Sequence, residues 1–531
     1  MSAGTLAAGA LLPLARRVTG APDPLRLHAR MTQGGTLPHT LLLESADAAT
    51  GVGERSLLVV RSALRARCLG REVVVNALSP NGRALLPWLA DTLAPMATIQ
   101  RDSERLSITF PAHDGALMDE AARGRAPSPL DVLRALHSTV SVTARPADVN
   151  HLLAGIFGYD LVDLFEPLPP AASDPVGFPR FDFWMPDQVL VVDHVRNATT
   201  VLAVVAGGAD ADARYNDAMA GIAALVELLQ GGASPATKPT SRAEDSGAAK
   251  VTVDRDDAEY AALVGQLKPY IHSGDVFQIV PSRSFTVPCP APLGAYGRLR
   301  AANPSPYMFY VCAPEYTLFG ASPETSVKVS GSPKQVLIRP IAGTVRRGRH
   351  ADGTLDPDLD ARLEAALRTD TKEVAEHLML VDLARNDVAR VSRPGTRRLS
   401  RLLAVERYSH VMHLVSEVTG ELQPDLDALH AYAASMNMGT LVGAPKVRAA
   451  QILREVEATA RGPYGGAVGY LTDAGDLDTA IVIRSALVQD GVATVRAGAG
   501  IVLDSDPASE ARETRDKAAA VLRAISGGEA P

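Results

Sequence analysis

The chain has 531 residues, 46% of them hydrophobic and 21% charged, which supplies a sizeable core and excludes a disordered or fibrous chain. Its net charge of −7 argues against a nucleic-acid partner, which ordinarily requires a basic stripe. At about 150 residues per domain the length suggests roughly three units, a prior that large sheets often undercut.

The apolar stretch Leu6 to Ala15 is short and broken by Pro13. It precedes the basic pair Arg16 and Arg17, the reverse of a secretory signal. No run approaches the roughly 18 apolar residues of a membrane span. Cys68, Cys289 and Cys312 form no zinc or redox spacing, and a sparse odd set suits a reducing compartment. The expectation is a soluble cytoplasmic protein without a membrane or nucleic-acid partner.

In chain order, SLLVVRSALRARCLG, REVVVNALS and QRDSERLSITFPA read as strands by their Val, Ile and Leu content. Arg83 to Leu93 and Pro129 to Thr139 carry helical spacing. WMPDQVLVVDHVRNATTVLAVVAGG predicts a long hairpin turning at Asn197, followed by a helix from Asp210 to Leu229. Gly231 to Lys250 is poor in large apolar residues and reads as a linker, dividing the chain into residues 1–230 and 251–531. Beyond it come an amphipathic helix from Asp256 to His272, the strand-like VFQIVPSRSFTV, a meander from Tyr464 to Leu503, and a closing helix from Pro507 to Ile525. Strand runs alternating with helix runs, without a βαβ rhythm, predict an α+β fold with large antiparallel sheets.

The densest chemistry lies in TDTKEVAEHLMLVDLARND. Asp370 and Glu373 have capping-box spacing, so a helix should start there with Glu373, Glu376 and His377 on one face. The cap alone would explain Glu373. A second carboxylate one turn on adds like-charge repulsion unless a cation sits between, so Glu376 reads as either functional or structural. His377 reads as a packed or hydrogen-bonded histidine, and the spacing matches neither a zincin nor a di-iron motif. In DSDPASEARETRDK, Asp506 is a candidate N-cap, Pro507 suits the first helical position, and Glu510 and Glu513 are again i, i+3. A surface pair between Glu513 and Lys517 is the plainer account. Two helices with paired carboxylates would suit a hard divalent cation, Mg²⁺ best, if they converge.

Gly498-Ala499-Gly500 sits between a strand and a helix. Leu503 spoils a dinucleotide fingerprint, which leaves a strand that a ligand approaches closely, or a bulge. Gly343-Thr344 precedes Arg346, Arg347 and Arg349, a basic turn that would suit an anion or simply solvent. Tyr464 and Arg484 are further candidates for holding a carboxylate, since an Arg in a strand is seldom buried unpaired. The residues alone reach an enzyme of an anionic ligand that uses Mg²⁺.

KEVAEHLMLVDLARND, PIAGTVRRGR, GAPKVRAAQIL, YGGAVGY and AGAGIVLDSDPASE, in this order with LLLESAD and NPSPYMF, resemble the chorismate-utilising enzyme family over nearly the whole chain. The resemblance implies antiparallel sheets packed as a sandwich and covered by helices, with 251–531 as the chorismate-binding catalytic region and 1–230 as a regulatory and structural region. It implies conversion of chorismate and ammonia to anthranilate and pyruvate with Mg²⁺, the committed step of tryptophan biosynthesis. On that resemblance Glu376 and Glu513 hold the metal, with Glu510 in its outer shell. Glu373 is the general acid, and His413 serves the pyruvate elimination. Tyr464 and Arg484 clamp the enolpyruvyl carboxylate, while Gly343, Thr344, Gly498, Ala499 and Gly500 line the substrate.

Two positions separate relatives within the family. Ala342 stands where relatives that make aminodeoxychorismate carry a lysine, which removes an amine nucleophile. Gln278 stands where relatives that add water carry a lysine base. Both favour anthranilate, with aminodeoxychorismate formation as the alternative and a non-catalytic metabolite sensor ranked below it. Val345, where Arg or a similar residue is common, weakens none of these roles. A Gly-x-Cys-x-Gly glutaminase turn is missing from the sequence, so the resemblance implies a separate glutamine amidotransferase subunit as ammonia source, in a heterotetramer. Glu44, Ser45, Pro306, Tyr307 and Met308 match the family's feedback pocket for L-tryptophan. Ordinary packing around a Ser-Pro turn is the plainer account of those five, but the paired LLLESAD and NPSPYMF motifs favour feedback inhibition.

Overall fold

The computed structural model describes residues 6–45, 55–112, 120–139, 141–142, 144, 146–231, 250–350, 352–408 and 411–527. Of the linker expected at Gly231 to Lys250, residues 232–249 lie outside the described residues.

Two long strands, Arg55–Leu69 and Phe181–Asp193, pair antiparallel and form the spine of an α+β fold. Their register shifts between Val59 and Leu64, and such bulges bend a strand and raise its twist. Arg55–Leu69 passes pairing to Thr40–Glu44, and from there to Tyr307–Cys312, Thr317–Ser322, Ser485–Gln489, Val492–Gly498 and Ser282–Pro288. Phe181–Asp193 passes it to Leu152–Phe157, then Ala467–Thr472, Leu477–Ile481, Thr325–Ser330, Gln335–Ile338 and Val411–Glu421. Strands from before and after the 231–250 stretch therefore share ladders, at Met308 with Glu44 and at Ala467 with Phe157.

The two arms enclose an apolar layer. Leu41, Leu57, Phe309 and Val311 from one meet Leu152, Ile156, Val468 and Ala480 from the other, all nearly devoid of solvent contact. Period-two alternation explains it, because each of these strands turns every second side chain into the layer.

The helices anticipated from caps form where those caps lie. Asp256 and Glu259 close a reciprocal capping box on Asp257–His272. Asp506 caps Pro507–Ser526, with Pro507 at its first position. The hairpin turns at Asn197, which adopts positive φ, and the Arg83–Leu93 spacing belongs to a helix Pro80–Leu93. The segment expected to be helical at Pro129–Thr139 splits into a short α-helix Leu130–Arg134 and a π-turn Ala135–Thr139. Among the described residues, no helix is long and apolar enough to cross a membrane.

Candidate active site

The helix Thr371–Val391 lies against the strands Ile341–Arg346 and Val411–Glu421. Asp370 caps it by accepting the Glu373 amide at 3.0 Å. The Glu373 carboxylate is turned instead toward the strand, where its Oε2 stands 3.2 Å from the place a Cβ on Gly343 would occupy. Gly343 has φ +79°, so it is glycine both for its backbone and for this approach. His377 is buried and bonds the Ser416 hydroxyl at 2.7 Å, the structural role anticipated for it.

Four carboxylates from two helices face one another. Glu376 is pushed up to about 6, first by burial and then by Glu373, Glu510 and Glu513, against the opposing charge of Lys372. Burial also raises Glu373, with Asp370 and Glu513 adding to it, and burial with Glu513 raises Glu510. Lys517 pairs with Glu513 at 2.8 Å. Among the described residues no three metal-binding side chains are already closed to ligand distance. The donor set is nevertheless all oxygen, electrostatically strained by its own charge, and carried on two rigid helices, which fits a hard divalent cation.

On the strand opposite, Thr344 and His413 are ladder partners, with Oγ1 2.9 Å from Nδ1. Burial and the nearby Arg484 guanidinium lower His413 to about 4, against a bond to the Gly343 backbone. Arg484 follows the strand Leu477–Ile481 with φ +50°. Its contact to the Lys517 carbonyl is long, 3.5 Å, and among the described residues no carboxylate pairs with it. A half-buried guanidinium without a counter-ion is a receptor for an anion.

Tyr464 is buried. Its hydroxyl stands 3.2 Å from the missing Cβ of Gly498, and Lys517 Nζ donates to the Gly498 carbonyl at 2.9 Å. The room left at Gly500 is occupied by the Gln278 amide, whose Nε2 is 2.7 Å from a notional Cβ, while Gln278 Oε1 is buried without a partner. Ala499 is fully buried between them. Of the basic turn, Arg347 is committed to Asp360 at 2.9 Å and to the Tyr408 carbonyl at 2.7 Å, so it is not available for a ligand.

Glu324 went unnoticed in the sequence. It is 8% exposed, and burial pushes it up to about 8, partly offset by a 3.1 Å bond from the Thr440 hydroxyl and by the charge of Lys517. The available signal was an acid between the turn Ser322-Pro323 and the strand Thr325–Ser330. Lys517 was visible only as the partner of Glu513, not as the link between Glu513 and Gly498.

A second cavity, about 520 Å³, lies away from these carboxylates. Glu44, Ser45, Pro306, Tyr307 and Met308 all line it, together with Lys328, Tyr470 and Asp478. Glu44 accepts from the Tyr296 hydroxyl and pairs with Arg300 at 2.9 Å, while its Oε2 is buried without a partner. Burial raises its carboxyl above the ordinary range.

Residues 100–523 match the family described as chorismate binding enzyme, and the chain belongs to that family. It is 49% identical over 504 residues to anthranilate synthase component 1 of Vibrio cholerae, covering 95% of this chain and 94% of that one. It is 48% identical over 500 residues to the Escherichia coli K12 protein of the same name, covering 93% of each. The crystal structure of anthranilate synthase component I from Streptococcus pneumoniae superposes with a TM-score of 0.69 at 28% identity, over 88% of this chain and 92% of that one. The menaquinone-specific isochorismate synthase of Escherichia coli, at 17% identity and a TM-score of 0.64, shares the fold.

Proposed function

We infer that the chain is the chorismate-aminating component I of an anthranilate synthase, a lyase that forms anthranilate and pyruvate from chorismate and ammonia. The observation that carries this is the unpaired Arg484 guanidinium beside Thr344 and His413, facing a four-carboxylate cluster on two helices. A dianionic substrate needs both halves: a cation for one carboxylate, and a metal for the other.

Glu376 and Glu513 would hold Mg²⁺, with Glu510 behind them. When bound, the ion supplies charge neutralisation for the ring carboxylate. Arg484 and Tyr464 hold the enolpyruvyl carboxylate, and Gly343, Thr344 and the Gly498–Gly500 backbone bound the ring. A leaving hydroxyl requires a proton. Glu324, pushed up to about 8, still carries one at neutral pH, which favours it over Glu373 as the acid. Glu373, set among other carboxylates, then keeps the cluster's charge balance. The His413 imidazole, held near 4, is neutral at physiological pH. It is competent to take the ring proton as the bond to the enolpyruvyl oxygen breaks.

Ala342 offers no amine for a covalent adduct, and the Gln278 amide cannot deprotonate water, which supports amination toward anthranilate. Ammonia would come from a glutamine amidotransferase subunit in a heterotetramer. The cavity at Glu44 and Tyr307, built by strands from both halves of the chain, would take L-tryptophan as feedback inhibitor. Three buried free cysteines suit the cytoplasm.

Chromatography of products after incubation with chorismate, Mg²⁺ and ammonium tests the reaction. Anthranilate and pyruvate in equal amounts are expected. Aminodeoxychorismate in their place would favour the alternative.

A further inference from the structure

Glu324 and Thr325 are consecutive, the first just before the strand Thr325–Ser330 and the second opening it, and their side chains meet different partners. Glu324 meets Thr440 on the catalytic side. The Thr325 hydroxyl lies 3.1 Å from the Tyr307 hydroxyl, and Tyr307 is a wall of the 520 Å³ cavity. The same Tyr307 hydroxyl donates to Asp478 on the neighbouring strand at 3.0 Å, and the other Asp478 oxygen pairs with Lys328 at 2.9 Å. One phenol thus ties two strands together beside the cavity.

The tie falls where the ladder is irregular. Thr325 pairs with Ala480 but Lys328 pairs with Asp478, so the strand Thr325–Ser330 carries one extra residue. Inside that bulge the Thr479 hydroxyl replaces a backbone partner, accepting from the Val327 amide at 3.2 Å and donating to the Val327 carbonyl at 2.7 Å. The ladder is locally disrupted at a bulge, which makes this segment easier to displace than the regular strands flanking it. On the catalytic side the Glu324 carbonyl accepts from Ile481, three residues before Arg484. A shift of this segment therefore moves the acid and the carboxylate receptor together.

We propose that the Tyr307–Thr325 contact couples the cavity to the catalytic face, with the bulged strand as the moving element. This rests on the reading of the cavity as the tryptophan site. An aromatic amino acid seated there packs on the Tyr307 ring. Binding that favours a displaced hydroxyl draws Thr325 with it through their hydrogen bond, shifts the bulge, and carries Glu324 off its substrate. An effector acts only through such a difference in affinity between two states, and chorismate must weaken tryptophan binding by the same factor.

The test uses the full chain with ammonium as nitrogen donor. Tryptophan binding is measured by calorimetry and inhibition by anthranilate fluorescence. Thr325→Val keeps the shape and removes the hydroxyl. Its tryptophan Kd and uninhibited rate should stay within about threefold of the parent, while the coupling factor between tryptophan and chorismate falls at least about fivefold. Thr325→Ser restores the hydroxyl and should restore inhibition. Tyr307→Phe, compared as the ratio of inhibition constant to Kd, gives the same answer if the valine variant does not fold. Full inhibition in both hydroxyl-deleted variants overturns the coupling while leaving the effector site intact. A parent chain that binds no tryptophan overturns the effector reading, and the coupling with it.

Discussion

The Thr344 hydroxyl lies 2.9 Å from Nδ1 of His413, across a ladder in which the two residues are direct partners. The bond fixes the orientation of a ring that burial and Arg484 keep neutral down to about pH 4. Over pH 5 to 9 the elimination step should show no histidine titration. His413→Asn is expected to lower anthranilate formation by at least about 100-fold while the aminated intermediate accumulates. Chromatography of single-turnover mixtures checks this, and unchanged product with no accumulation would remove His413 from the elimination.

Glu376→Ala and Glu513→Ala should each reduce turnover by at least about a thousandfold with unchanged circular dichroism. Glu376, held near 6, must lose its proton to hold a cation. Mg²⁺ affinity should therefore weaken as pH falls through about 6, with proton release that calorimetry in buffers of different ionisation enthalpy detects. Near-normal turnover in both variants would contradict the assignment.

Glu324 and Glu373 compete for the acid's role, and their environments separate them. A buried carboxyl near 8 is charged above that pH, so kcat/KM per free ammonia should fall as pH rises through about 8. Glu324→Gln keeps the bond from Thr440 in shape, yet should lose about 100- to 10,000-fold and abolish that alkaline limb. If Glu373→Gln does this and Glu324→Gln does not, the acid is Glu373.

Much of this site was legible because local rules governed it. The caps at Asp370 and Asp506 fixed the phase of two helices, and so the faces that carry Glu373, Glu376, Glu510 and Glu513. Convergence of those faces was not legible, since it depends on ladders joining residues hundreds of positions apart. Glu324 was missed for the same reason: its raised proton affinity comes from burial in the folded chain, against the bond from Thr440, and not from its sequence neighbours. The basic turn stayed open between an anion site and a plain surface, because Arg347 meets Asp360 only once the next helix folds back.

Acid sensitivity follows from buried histidines outside the site. His28 and His151 are held near 4 by burial, and neither His28 nitrogen has a partner. Between about pH 6.5 and 4 the unfolded chain binds protons that the folded chain refuses. Stability should therefore fall as pH drops through that window, by at most about 3 kcal/mol for each ring. His28→Phe, which keeps an aromatic edge toward Tyr310, should flatten part of the slope in denaturant titrations at pH 7 and 4.5. An identical slope in the variant would show that His28 does not contribute.

Anthranilate fluorescence from the isolated chain tests the central claim most directly, with chorismate and Mg²⁺ at alkaline pH and either ammonium or glutamine as nitrogen donor. Product should form with ammonium, fail to form with glutamine, and be suppressed by L-tryptophan. Chorismate consumed without fluorescence, or no consumption in ammonium, would contradict the account.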